Sequence, residues 1–329
     1  MQPLRLELPT GLSVGTVNVY LFKEPEPVLV DAGIRSDESW EALQLALAEH
    51  DLTVLDISRV VITHAHVDHY GQAGTIAANS DADIWISDLG APWLFMTEAM
   101  WARRLYYYEE DFLPSVGLSA QMIATIADGF RAIGAQSDPI PHGRVHTFSS
   151  NGTLQMGGMA WRVVHTPGHA SMQTCFYQPE TQQLLSADML LAITPTPIVE
   201  APPDGQEKRI PALPQFMHSL DLIDRLDVEM VYPGHGRPFS NHRRVIERQR
   251  ERIASRKSEC LDFIKAGVST GVELLDKMYA HRPIQFRLAG LWMLIGYLDL
   301  LLADGAVSRR KIDGVWHYTR VHPTAVDRG

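Results

Sequence analysis

Cysteine is nearly missing from this chain: two thiols, Cys175 and Cys260, in 329 residues. Two thiols form no disulfide framework and no thiolate metal cluster, and they suit a reducing compartment. Long hydrophobic runs are also lacking. The longest, Leu288 to Ala303, falls short of the ~20 residues a membrane helix needs and carries Asp299. Met1 to Glu7 holds no apolar signal core, so a cytoplasmic location without membrane attachment is expected. There is no internal repeat and no low-complexity tract, and no Ser or Cys sits in a setting that marks it as a nucleophile. An even charge balance is absent too. Residues 241–329 carry 16 Lys+Arg against 10 Asp+Glu, and the remainder 13 against 29. The acidic body discourages broad contact with nucleic acid, while the basic tail keeps such a partner open without favouring it.

What the chain does have is clustered imidazole. Val60-Val61-Ile62 reads as a buried strand and runs into Thr63-His64-Ala65-His66-Val67-Asp68-His69, three imidazoles and a carboxylate within six residues. Gly71 and Gly74 follow and predict a tight turn. Imidazole and carboxylate suit Zn, Fe or Mn without thiolate help. His64 and His66, two apart on extended backbone, face the same way. Asp68 and His69, placed in the turn, face another point, which suggests two neighbouring metals. Three more donors follow apolar runs elsewhere: His169 behind Pro167-Gly168, Asp188 at the end of Leu184-Leu185-Ser186-Ala187, and His235 behind Pro233-Gly234.

Together these motifs resemble the metallo-β-lactamase superfamily: HxHxDH at 64–69, TPGHA at 166–170, SADML at 186–190 and PGHG at 233–236. The resemblance spans roughly residues 14 to 240. It implies that His64, His66 and His169 hold one metal, that Asp68, His69 and His235 hold a second, and that Asp188 bridges them. Asp31, at the end of Val28-Leu29-Val30, is expected to brace the ligand loop through hydrogen bonds. One departure stands out: Ala187 occupies a position that is often Gly in the family. Any one of these residues alone would more often be a surface polar group or, for Asp188, a helix cap; the full set in order outweighs that. His165 reads as a packed strand residue. His142, His146, His218, His242, His281, His317 and His322 have no motif context.

Strands alternate with helices along the chain, which argues α/β layering. Strands are predicted at Gly15–Phe22, at Val28–Val30, into Thr63 and at Asp83–Ile86, with a helix over Ser39–Leu47. The resemblance specifies an αββα sandwich with its site at one edge, in a domain covering residues 1–240. Residues 89–140 read as a helical insert rich in aromatics. Such spacing is more often packing than a binding box, but the insert lies where the family builds a wall, and the hypothesis is an apolar substrate pocket. Asn151-Gly152 predicts a hairpin turn between strands over 146–164. The proline-rich stretch from Leu191 to Leu213 is expected to be extended and to rim the site, and a helix is expected from His218. Residues 241–329 form a second unit: helices over 243–266, from Gly271 and over 287–303, then a hairpin at Asp313-Gly314. This tail resembles the winged-helix module found on a subset of the superfamily, including a mitochondrial endoribonuclease. A packing or dimerisation role is preferred to RNA binding, because no arginine–aromatic array is evident, and a homodimer fits that preference.

The chemistry implied is dinuclear metal-dependent hydrolysis by a metal-bridging hydroxide, which Asp68 would orient as well as ligate. Zn2+ is the expected metal, with Fe or Mn also suited. The expected substrate is a small carboxylic ester or thioester, in the style of glyoxalase II and the lactonases. The alternative is a phosphodiesterase or endoribonuclease acting on single-stranded RNA, and a metal site without catalysis is a third reading that the complete donor set opposes.

Overall fold

The computed structural model describes residues 2–193, 209–280 and 284–321. Most of the proline-rich stretch, including Pro195, Pro197, Pro202 and Pro203, lies outside these residues, as do His281 and His322. Six strands form a first sheet in sequential order: β1 (Leu4–Leu12), β2 (Gly15–Phe22), β3 (Val28–Val30), β4 (Arg59–Ile62), β5 (Asp83–Ser87) and β6 (Val145–Phe148). The first three are antiparallel, and β3 to β6 run parallel. A second sheet holds β7 (Thr153–Met156), β8 (Met159–His165), β9 (Thr174–Gln178), β10 (Gln183–Ala187) and β11 (Met230–Pro233), in the order β11-β10-β9-β8-β7.

Side-chain alternation builds the layers, because successive residues of a strand face opposite sides. In β4, Val61 joins a cluster with Tyr20, Phe22, Val30, Trp161, Phe176 and Leu185, residues of both sheets. Its neighbours Val60 and Ile62 join another cluster, with Leu43 and Leu47 of helix α1 (Asp37–Ala48). In β9, Phe176 faces the inter-sheet core, while Cys175 and Tyr177 face the helices beyond the second sheet. The chain is therefore an αββα sandwich: two sheets share a central apolar layer, and helices cover both outer faces.

The remaining helices complete those covers. Two short ones, α2 (Val67–Tyr70) and α3 (Ala73–Asn79), follow β4. The predicted insert is helical: α4 (Ala91–Phe95), α5 (Thr97–Tyr106), a π-helical stretch over Tyr107–Phe112, α6 (Leu113–Val116) and α7 (Ala120–Gly134). Trp93 and Trp101 pack into the cluster over the first sheet, whereas Tyr108, Phe112 and Leu113 pack into the one over the second. Most insert aromatics are thus core, so deleting the segment would open both clusters and cannot test a substrate pocket.

Beyond the second sheet lie α8 (Ala212–Asp224), α9 (His242–Lys265), α10 (Gly271–Tyr279) and α11 (Ile284–Ala303), followed by the hairpin β12 (Val307–Ile312) and β13 (Val315–Arg320). Phe216 of α8, Ile246 of α9, Leu274 of α10 and Leu294 of α11 share one cluster with Cys175 and Leu184. Trp292 stacks on Phe112 at 5.5 Å, tying the tail to the insert. On the hairpin Arg309 lies 4.3 Å and Lys311 5.7 Å from the Trp316 ring, and in the tail's helices Arg256 lies 4.8 Å from the Tyr279 ring. Among the described residues, no helix is long and apolar enough to cross a membrane.

Three sequence expectations need correction. The hairpin is not at Asn151-Gly152: β6 and β7 lie in different sheets, and that segment carries the chain between them. The tight hairpin joins β7 to β8 through Gly157 and Gly158, with φ of 61° and 70° and Met156 paired with Met159, the pattern of a two-residue primed turn. Gly71 and Gly74 make no tight turn, and Asp68 and His69 stand on the single-turn helix α2. Both glycines make room: a Cβ at Gly71 would meet the Gln136 carbonyl at 2.6 Å, and one at Gly74 the Pro139 carbonyl at 2.5 Å. The helix predicted from His218 starts earlier, at Ala212, and β1, with its alternating Leu4, Leu6 and Leu8, was not foreseen.

Ala187 adopts φ of 43°, in the left-handed region where L-residues cost roughly 1–2 kcal/mol. Glycine relieves that at a backbone entropy cost of about 0.5–1 kcal/mol. Ala187→Gly is therefore expected to stabilise the fold by up to about 1 kcal/mol in urea unfolding; a destabilisation would contradict this account of the turn.

Candidate metal centre

Seven donors meet at the ends of strands and on one adjoining helix. His64 and His66 follow β4, and Asp68 and His69 stand on α2. His169 follows β8, Asp188 follows β10 and His235 follows β11. Strand ends at one edge of a sandwich are where loops from both sheets can converge.

The donors form two triads with a carboxylate between them. His169 Nε2 is 3.2 Å from His64 Nε2 and 2.8 Å from His66 Nδ1, and those two are 3.1 Å apart. In the second triad, Asp68 Oδ2 is 3.3 Å from His235 Nε2 and 3.9 Å from His69 Nε2. Asp188 reaches both: Oδ2 lies 3.4 Å from His169 Nε2 and 3.3 Å from His235 Nε2, and Oδ1 lies 3.5 Å from His69 Nε2. All seven residues named from the sequence are thus brought together. His165 is apart, its Nε2 on the Ser171 carbonyl. His146 stacks on Trp85, and His317 pairs with Ser269.

Buried polar groups fix the donors. Asp31, at φ 66°, accepts hydrogen bonds from the Thr63 N–H at 2.8 Å and the Thr63 hydroxyl at 2.9 Å, and pairs with His69 Nδ1 at 2.7 Å. It thereby aims His69 Nε2 at Asp188. The His235 turn is held from β2: Asn18 Nδ2 donates to the Pro233 and Gly236 carbonyls, Tyr20 donates to Pro233, and His235 Nδ1 meets the Thr16 carbonyl. Sequence reasoning found Asp31 and missed Asn18, Tyr20 and Thr63. The available signal was Asn18, a polar residue in the middle of an apolar strand. Gly234 allows the close approach, because a Cβ there would lie 2.2 Å from Asp188 Oδ1.

Electrostatics shows what the cluster lacks. Burial, then the neighbouring imidazoles, hold His64 well below the ordinary histidine range, and burial and His169 do the same for His66. Burial opposes charge on His235 and His69, but the carboxylates outweigh it. His235 rises to about 10 against Asp188 and Asp68, and His69 lies well above its usual value against Asp31 and Asp188. Burial would also raise Asp68, but His69 and His235 hold it at about 2. Protons on His69 and His235 therefore do the work of a cation. His69 Nε2 and Asp188 Oδ1, both buried, meet only each other, as an ion pair at 3.5 Å, and neither has a hydrogen bond of good geometry among the described residues. Nitrogens 2.8–3.2 Å apart, two neutral rings and an unsatisfied carboxylate oxygen fit divalent ions bound by imidazole and carboxylate.

Two outcomes follow. Asp31→Asn should weaken metal binding by about 10- to 100-fold, as loss of a partner that orients a ligand does, measured by competition with a chromophoric chelator. In the metal-free chain, His235 binds its proton more tightly folded than unfolded. Its stabilisation is full below pH 6.5 and is lost as pH rises towards about 10. Metal binding must expel that proton, so affinity should tighten over the same window. Thermal unfolding should show the metal-free protein weakening and the metal-loaded protein gaining on it; a constant gap would contradict the proton assignment.

Comparison with known proteins agrees with this geometry. The description "Metallo-beta-lactamase superfamily" matches residues 12–235. A probable metallo-hydrolase of Bacillus subtilis (strain 168), YqjP, is 27% identical over 315 residues, covering 93% of each chain. An atrochrysone carboxyl ACP thioesterase of Aspergillus fumigatus is 25% identical over 284 residues, 82% of this chain and 70% of that one. The crystal structure of a metallo-β-lactamase family protein of Thermus thermophilus superposes with a TM-score of 0.77 at 25% identity, covering 97% of this chain and 98% of that one. With two helix-covered sheets and a His/Asp cluster at their edge, the chain belongs to the metallo-β-lactamase superfamily and is a metal-dependent hydrolase.

Proposed function

We propose that this hydrolase is dinuclear and cleaves small carboxylic esters or thioesters, in the manner of glyoxalase II or the lactonases. The observation that carries the dinuclear reading is Asp188, whose two oxygens lie within 3.3–3.5 Å of imidazoles from both triads. In this reading His64, His66 and His169 hold one ion, Asp68, His69 and His235 hold the other, and Asp188 is shared. The donor set suits Zn2+ first, with Fe or Mn also accommodated. Held by these residues, divalent ions would lower the pKa of water from about 15.7 to about 7 and would polarise the substrate carbonyl.

The protein's own groups position the reactants. In this reading Asp68, besides its place in the second triad, accepts a hydrogen bond from the attacking water. Asp31 keeps the His69 ring from rotating away. A thiol nucleophile is disfavoured, because Cys175 and Cys260 are both buried and their pKa values are pushed up to about 12. The thioesterase among the relatives supports an acyl substrate.

The metal-loaded enzyme should turn over at least one small thioester or lactone in a panel that also contains phosphodiesters. His169→Ala and Asp188→Asn should each lower that activity by more than about 100-fold, beyond the loss typical of a partner outside the metal's own ligands, and should reduce metal content with it. Turnover of phosphodiesters alone would move the reading to the nuclease.

A further inference from the structure

Arg104 of α5 is a buried cation with no acid beside it among the described residues. It is 4% exposed, and its Nε is enclosed without a hydrogen-bond partner. Among the described residues, no carboxylate or carbonyl accepts from its guanidinium. Indole faces line it instead: its Cζ lies 4.3 Å from the Trp93 ring and 5.0 Å from the Trp101 ring. Indoles offset part of the cost of burying the charge but accept none of its five N–H bonds. Two further buried donors in this neighbourhood are unused, the Tyr70 hydroxyl and the Trp101 indole N–H. The phenols of Tyr108 and of Tyr70, which follows His69 on α2, both act on the Arg104 charge, and that charge also acts on His66. Tyr70, next to the donor His69, shares one buried cluster with Trp93 and Trp101, so the desolvated guanidinium held by those indoles and the two spare donors lie against the helix that carries Asp68 and His69.

We propose that Arg104, assisted by the Tyr70 hydroxyl, binds a carboxylate on the acyl part of the substrate. The preferred substrates are then esters or thioesters whose acyl chain ends in a carboxylate, an inference that rests on the acyl-hydrolase reading. A lone guanidinium is a planar fork that matches a planar monoanion in bidentate fashion.

The test uses the metal-loaded full chain and N-acetylcysteamine thioesters of glutaric and adipic acid, each paired with its terminal monoamide, a neutral molecule of nearly the same shape. Wild type should favour the acid over the amide by about 30-fold or more in kcat/KM, the range for a desolvated charge pair. Arg104→Met should collapse that ratio, mainly through KM for the acid, and Arg104→Lys, which keeps charge but not the fork, should fall between. Circular dichroism and metal content check folding; should the Met variant not fold, the wild-type ratio and the Lys variant still decide. An arginine that only ties down the insert would slow acid and amide in equal proportion, and that result, or a wild type without acid preference, overturns the proposal. If no thioester is cleaved, the acyl-hydrolase reading fails and calorimetry decides Arg104 separately. Glutarate should bind wild type at least about tenfold more tightly than Arg104→Met, with glutaramide binding neither; equal binding of glutarate to both proteins overturns it.

Discussion

The buried carboxylate of Asp188 is the constraint on which the site depends. It faces three imidazoles, and among the described residues its Oδ1 has only the 3.5 Å ion pair with His69, without a hydrogen bond of good geometry. A desolvated carboxylate is tolerated only when its charge is balanced and its lone pairs are used. The carboxylates favour protons on His69 and His235, yet Oδ1 meets His69 only across 3.5 Å, and burial disfavours charge on His64 and His66. Divalent cations answer all of these demands together, which is why the arrangement reads as a metal centre rather than a salt-bridge network.

The fold holds that arrangement by accepting local strain. Asp31 and Ala187 both sit in the left-handed region, at φ 66° and 43°. Such residues cost about 1–3 kcal/mol each and persist where the surroundings over-determine them. Here the surroundings are the two sheets, whose shared apolar layer runs beneath the loops. Asn18, Tyr20 and Asp31 turn that rigidity into position, because each sits on or at the end of a strand and bonds to a loop that carries a donor. Arg104 adds a second imbalance, a positive one, beside the first.

Much of this was legible in the sequence. The four motifs named all seven donors, and the family resemblance they carry specified the two-sheet plan. The reasons for each failure are physical. Gly71 and Gly74 were read for conformational freedom, whereas they are needed for clearance from residues 136–139, which is a tertiary fact. Asn151-Gly152 has the composition of a hairpin turn, but the strands on either side belong to different sheets, and composition does not say which strands pair. Asp68 and His69 were placed in a turn because one helical turn is too short to show a period. Arg104 carried no signal, since an arginine among aromatics at helical spacing reads as an ordinary amphipathic helix until its lack of a partner is seen. The boundary drawn at residue 240 follows a change in composition, while the apolar cluster runs across it from β9 and β10 to α11.

The claim that two cations hold the cluster together is tested most directly by anomalous diffraction from crystals of the metal-loaded protein. The account predicts two peaks, one bounded by His64, His66 and His169 and the other by Asp68, His69 and His235, with Asp188 in contact with both. A single peak, or none with the imidazoles still clustered, would contradict it.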